Sequence, residues 1–106
     1  MPRRRVRMSP AARAWYLAEV RYLADKNKAA AARVVDMMRT ASVNLSEHPE
    51  LGRVGLIPGT RQLLVGPYVL TTRRVGNVVE IAAIRSTRQG DAFGPAEAKD
   101  VDGRDG

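Results

Sequence analysis

Two kinds of side chain in this sequence could do chemistry: a single histidine, His48, and a large set of arginines. Histidine is the side-chain type that exchanges protons near neutral pH. His48 stands beside Pro49, however, in a stretch that reads as a loop closing a helix. A histidine there more commonly serves the negative end of the helix dipole than a reaction. The arginines carry a different chemistry. They make up 15 of the 18 basic residues, and the planar guanidinium grips carboxylates and phosphates through paired hydrogen bonds. Cysteine is absent, which excludes a thiolate nucleophile, a disulfide framework and a thiolate metal site; with one histidine, the usual zinc sites are excluded as well. Neither a metal nor another cofactor is expected.

The positive charge is unevenly spread. Residues 1–88 carry 16 Lys and Arg against 6 Asp and Glu, a balance of +10, whereas residues 89–106 carry 2 against 5, a balance of −3. Three readings of the cationic part stay open: nucleic-acid binding, an acidic protein partner, or a coding bias toward Arg and Ala. No stretch approaches the ~18 consecutive apolar residues of a membrane helix, and the basic N-terminus is not followed by the apolar run of a secretory signal. The expected compartment is the cytoplasm, with no membrane contact.

The elements that must position these side chains follow from periodicity. Val6–Met8 reads as a short first strand. Ser9 and Pro10 then form a helix start, a capping hydroxyl followed by a residue whose missing N–H costs nothing in the first turn. Ala12, Tyr16, Val20 and Leu23 recur on one helical face, with Trp15 and Tyr22 flanking it, to an end near Asn27. A second helix is expected over about Lys28 to Ser46, with Ala31, Val35, Met38, Ser42 and Leu45 inward. The link between the two is too short for anything but an antiparallel helical hairpin.

Three strand-like runs follow, about Arg61–Val65, Tyr68–Arg74 and Val78–Arg85, separated by turns at Gly66–Pro67 and Val75–Asn77. They predict an antiparallel meander beneath the hairpin. The last run is apolar at both alternating sets of positions, as in a central strand covered on both faces. The expected fold is α+β, a βααβββ chain with the helical hairpin on a small, mainly antiparallel sheet, formed by residues 1–89. Residues 90–106, rich in Gly, Asp, Ala and Pro, are expected to be a flexible acidic tail, because they cannot bury enough apolar area to offset their ordering entropy.

Several short motifs, in order, now point to a family. They are Ser9–Pro10, Asn27, the Pro49–Arg53 loop, Gly59–Leu63 entering a strand, Tyr68 opening the next, and Arg88–Gln89 after the last. Together with the βααβββ order, over about Val6 to Gln89, the chain resembles ParE-type toxins of the ParE/RelE toxin–antitoxin superfamily. It departs from the pattern at Thr72, which precedes Arg73 where an aromatic is common, and at Arg85, where a histidine is often found.

The resemblance implies a toxin that inhibits DNA gyrase by binding, without chemistry of its own. The alternative it implies is a ribosome-dependent mRNA endonuclease of the RelE type, which needs a base, a proton donor and phosphate-binding cations. In that branch an arginine follows the strand-opening tyrosine and a tyrosine lies beyond the last strand; here those places hold Val69 and Phe93, although Arg88 matches a phosphate-binding position. The non-enzyme is favoured. Arg61, Arg85 and Arg88 are the expected target-binding set, and Trp15, Tyr16, Tyr22 and Met38 the expected antitoxin-binding set. The implied partner is a cognate ParD-like antitoxin whose acidic segment covers the hairpin and reaches a sheet edge. The pair would form a hetero-oligomer that meets operator DNA only through the antitoxin.

Overall fold

Ser9 does more than begin a helix. In the structure, a computed structural model that describes residues 4–87, Arg5–Met8 forms strand β1 and Pro10–Lys26 forms helix α1. The Ser9 hydroxyl accepts the Ala12 N–H at 3.0 Å and donates to the Ala82 carbonyl at 2.8 Å. A single side chain thereby caps the helix and ties its start to the sheet 73 residues further on. Replacing Ser9 by alanine removes both bonds and is expected to cost about 1–2 kcal/mol. Urea denaturation checks this, and an unchanged midpoint would count against the double role.

Asn27 both ends α1 and begins helix α2, Lys28–Glu47. Its N–H donates to the Leu23 carbonyl at 2.6 Å, and its side-chain oxygen accepts from Ala29 and Ala30 at 2.9 and 3.2 Å. The hairpin therefore turns on one non-helical residue. The residues that α2 buries are Ala31, Val34, Met38, Ala41 and Leu45. This corrects the expected stripe at two places, since Val35 and Ser42 are only half-buried. Both sets advance in alternating steps of three and four, so helical period alone does not separate them.

The remaining strands are β2, Arg53–Val54; β3, Thr60–Val65; β4, Tyr68–Val75; and β5, Val78–Ser86. They join β1 in one five-stranded sheet of order β1-β5-β4-β3-β2, antiparallel except that β1 runs parallel to β5. The two-residue β2 lies within what the sequence reads as loop, and it is too short to show a period of its own. Gly66 and Gly76 take the positive φ angles, 58° and 61°, that the two tight strand connections require.

Both helices pack on one face of the sheet, around Leu45, Leu70, Val79 and Ile81, which are at most 1% exposed. Apolar residues on both alternations of β5 have a cause other than two covers. Thr71 pairs with Ala83 but Thr72 pairs with Ile81, so Ala82 is an extra residue, a β-bulge that shifts the alternation by one. Val79 and Ile81 before it and Ile84 and Ser86 after it all turn to the helices and are buried. Glu80, Ala83 and Arg85 consequently turn to the other face. The carbonyl of the bulged Ala82 is the one that Ser9 satisfies.

Candidate functional site

The sheet face turned away from the helices gathers the cations. Register places Arg5 and Arg7 of β1 beside Val78 and Glu80 of β5, Arg73 of β4 across from Glu80, Arg85 of β5 across from Val69, and Arg53 of β2 across from Gln62. Cross-strand partners share a face, so these five arginines stand on the same side. No described element covers it, and Leu64 there is 66% exposed.

Glu80 is the one carboxylate on this face among the described residues. Its side chain is 8% exposed, and it accepts from Arg73 Nε at 2.8 Å and lies 3.6 Å from Arg7 Nε. A buried carboxylate needs such partners, since desolvation without them would be costly. In return it holds two guanidinium groups of like charge, one from each of the strands that flank β5. A carboxylate so engaged is a poor general base, because its lone pairs are directed at the arginines.

On the opposite side, the hairpin and the ends of β4 and β5 bound a groove of about 680 Å3. Glu19, Tyr22, Leu23, Arg33, Met37 and Tyr68 line it. Tyr68 closes its floor: it is 2% exposed, donates its hydroxyl to Glu19 Oε2 at 2.7 Å, and packs edge-on against Trp15 with ring centroids 5.7 Å apart. At the rim Tyr22 is 58% exposed, with Lys26 Nζ 5.1 Å from its ring centre. Nearby on α1, burial raises the Tyr16 hydroxyl above the ordinary phenol range, while the charge of Arg39 pulls it down.

Comparison with known proteins settles the family. The sequence pattern described as ParE toxin of type II toxin–antitoxin system, parDE, matches residues 6–90. The chain belongs to the ParE toxin family. No curated protein sequence matches it. Among solved structures, one titled chromosomal ParDE TA system from P. aeruginosa is similar at 19% sequence identity and a TM-score of 0.67, over 78% of this chain and 95% of that one. At that identity the likeness speaks for the fold, a helical hairpin on a mainly antiparallel sheet in the order β-α-α-β-β-β, within which this toxin places the extra short β2.

The residues singled out in the sequence of this ParE toxin fall in different places. Arg85 is on the open sheet face, whereas Arg61 pairs with Thr72 and Val54 on the helix side and donates to the Gly52 carbonyl at 3.3 Å. The two are thus not brought together. Arg88 and Phe93 lie outside the described residues, as does the acidic segment from residue 90. His48 ends α2, its N–H donating to the Asn44 carbonyl at 2.8 Å, and it is exposed. Of the hairpin set, Tyr22 is on the groove rim, and Trp15 and Tyr16 are half-buried against the core. Met38 is a correction: at 3% exposure it belongs to the core and offers no surface, while its neighbour Met37 lines the groove.

Sequence reasoning passed over Arg5, Arg7, Arg73 and Glu80. A lone acid inside an otherwise apolar strand was the available signal for Glu80. Among the described residues no group of His, Cys, Asp and Glu could hold a metal ion, and no helix is long and apolar enough to cross a membrane.

Proposed function

We propose that this toxin arrests growth by binding DNA gyrase in the cytoplasm, without catalysis, and is neutralised by a cognate ParD-like antitoxin. The observation that carries the non-catalytic part is the open sheet face. Where a ribonuclease of the superfamily would set its reacting groups, this face presents Val69 beside Arg85, and its one described carboxylate is held between Arg73 and Arg7. Cations for binding an anion are present, and among the described residues the groups for moving a proton are not assembled there. Gyrase enters through the family.

The antitoxin reading rests on the groove. An amphipathic segment laid along it would cover Tyr22, Leu23 and Met37, with Arg33 available to an acidic side chain. The balance of +10 over residues 1–88 would steer such an acidic partner and make its association salt-sensitive. Operator DNA would be met through the antitoxin within the hetero-oligomer.

The deciding experiment adds the purified toxin to gyrase, relaxed plasmid and ATP. Supercoiling is expected to stop at micromolar toxin and to resume when the antitoxin is added first. Unimpaired supercoiling, together with cleavage of translated mRNA in a ribosome-containing extract, would transfer the toxin to the endonuclease branch.

A further inference from the structure

We propose that the open face of the sheet is a binding site for duplex DNA, gripped through its phosphates. The inference rests on the proposed mode of action only in taking this face as the toxin's working surface, and it names DNA as part of what that surface meets. Among the described residues Arg5, Arg7, Arg53, Arg73 and Arg85 stand on the face against one carboxylate, Glu80, a balance of +4.

The spread of these cations selects a wide occupant. Two lie on the β1 edge, one on the β2 edge and two on the interior strands β4 and β5. With ~4.8 Å between neighbouring strands, the sheet measures ~19 Å from β1 to β2. An acidic helix is ~10–12 Å across with its side chains, and an extended acidic peptide is narrower still, so either would leave one edge unmatched. Duplex DNA has phosphate rows on both sides of a major groove ~12 Å wide, with one charge per ~1.7 Å of its axis. It can meet both edges at once.

The side chains between the arginines point to a duplex rather than a single strand. Proteins that hold unpaired bases do so largely by stacking them on aromatic rings. Among the described residues this face has none: it shows Gln62, Leu64, Val69, Thr71, Val75 and Ala83, while Trp15, Tyr16 and Tyr22 are on the helices and the ring of Tyr68 packs against Trp15. Nor are the arginines consumed internally. The side chains of Arg5, Arg53 and Arg85 form no hydrogen bond or ion pair among the described residues, and those of Arg7 and Arg73 stay 53% and 55% exposed although they share Glu80. Arginines placed in this way read the DNA backbone and not the sequence.

The test compares two equal reductions of charge. Binding of a short, fluorescently labelled duplex of arbitrary sequence is followed by anisotropy across a salt series. Three proteins are used: the unaltered toxin, a sheet triple (Arg5→Gln, Arg53→Gln, Arg85→Gln) and a helix triple (Arg13→Gln, Arg21→Gln, Lys28→Gln). The sheet triple is expected to bind about tenfold or more weakly at low salt, with a log–log salt slope reduced by about 2.7, or about 0.9 for each phosphate no longer neutralised. The helix triple is expected to keep the slope of the unaltered protein. Should a triple fail to fold by circular dichroism, Arg85→Gln against Arg13→Gln carries the comparison, with a slope change of about 0.9 expected for the former alone.

Equal weakening in the two variants, no duplex binding at all, tighter binding of a single strand, or equally effective competition by polyglutamate would each overturn the site. Duplex binding by a toxin that leaves gyrase untouched would instead sink the gyrase reading and leave this site standing.

Discussion

Tyr68→Ala is expected to lower the stability of this toxin by about 3–5 kcal/mol, a large part of the ~5–15 kcal/mol that holds a domain of this size together. The ring is 2% exposed and meets Trp15 at an interplanar angle of 80°, the edge-to-face geometry that aromatic quadrupoles favour. Its hydroxyl fixes Glu19 on α1, while its backbone pairs with Val65 and Ser86 at the start of β4. Alanine would therefore empty the junction of helix and sheet and leave Trp15 without its partner. Tyr68→Phe separates the two contributions: it keeps the ring and removes only the bond to a carboxylate, about 1.5–3 kcal/mol at most. Urea unfolding of both variants gives the comparison, and a Tyr68→Ala protein within about 1 kcal/mol of the parent, on the scale of an ordinary surface substitution, would show that the junction bears little of the stability.

The second large effect is expected at Gly52. Its φ is 93°, and a Cβ added there would run into the backbone carbonyl of Gln62 on β3. Neither obstacle can move without lifting β2 from the sheet edge, so Gly52→Ala is expected to cost about 1–3 kcal/mol. Gly76→Ala is the matched control, because Gly76 also has a positive φ, 61°, but nothing lies within 4 Å of its Cβ position. The difference between the two midpoints isolates the close approach from the backbone conformation. Since Arg53 follows Gly52 directly, the Gly52 variant is also expected to bind duplex DNA with a shallower salt slope, and Gly76→Ala is not.

The parts of this fold that were legible in the sequence are those decided within a few residues. Ser9–Pro10 and Asn27 mark helix boundaries through their own side-chain chemistry, and Gly76–Asn77 marks a turn in the same way. What was not legible depends on pairing between distant segments. The Ala82 bulge can be recognised only when β4 is laid beside β5, and without it the double alternation of β5 reads as a strand covered on both faces. The same gap separated Arg61 from Arg85. Both look like strand arginines along the chain, but the register puts them on opposite faces. Met38 and Met37 illustrate the limit on a helix, where adjacent residues differ by about 100° and a broad apolar face leaves the boundary between core and groove undefined.

The parallel pairing of β1 with β5 has a consequence for how the toxin comes into being. Arg5 meets Val78, 73 positions later in the chain, and β5 is also the strand that joins β1 to the meander. A nascent chain that has not yet reached Ser86 has Arg5 and Arg7 on a segment whose partner strand is unfinished. Pairings this remote in sequence form late and slowly. The sheet edge that carries Arg5 and Arg7 is therefore completed only after β5 has been made, later than the α1–α2 hairpin, whose two helices are joined through Asn27 alone.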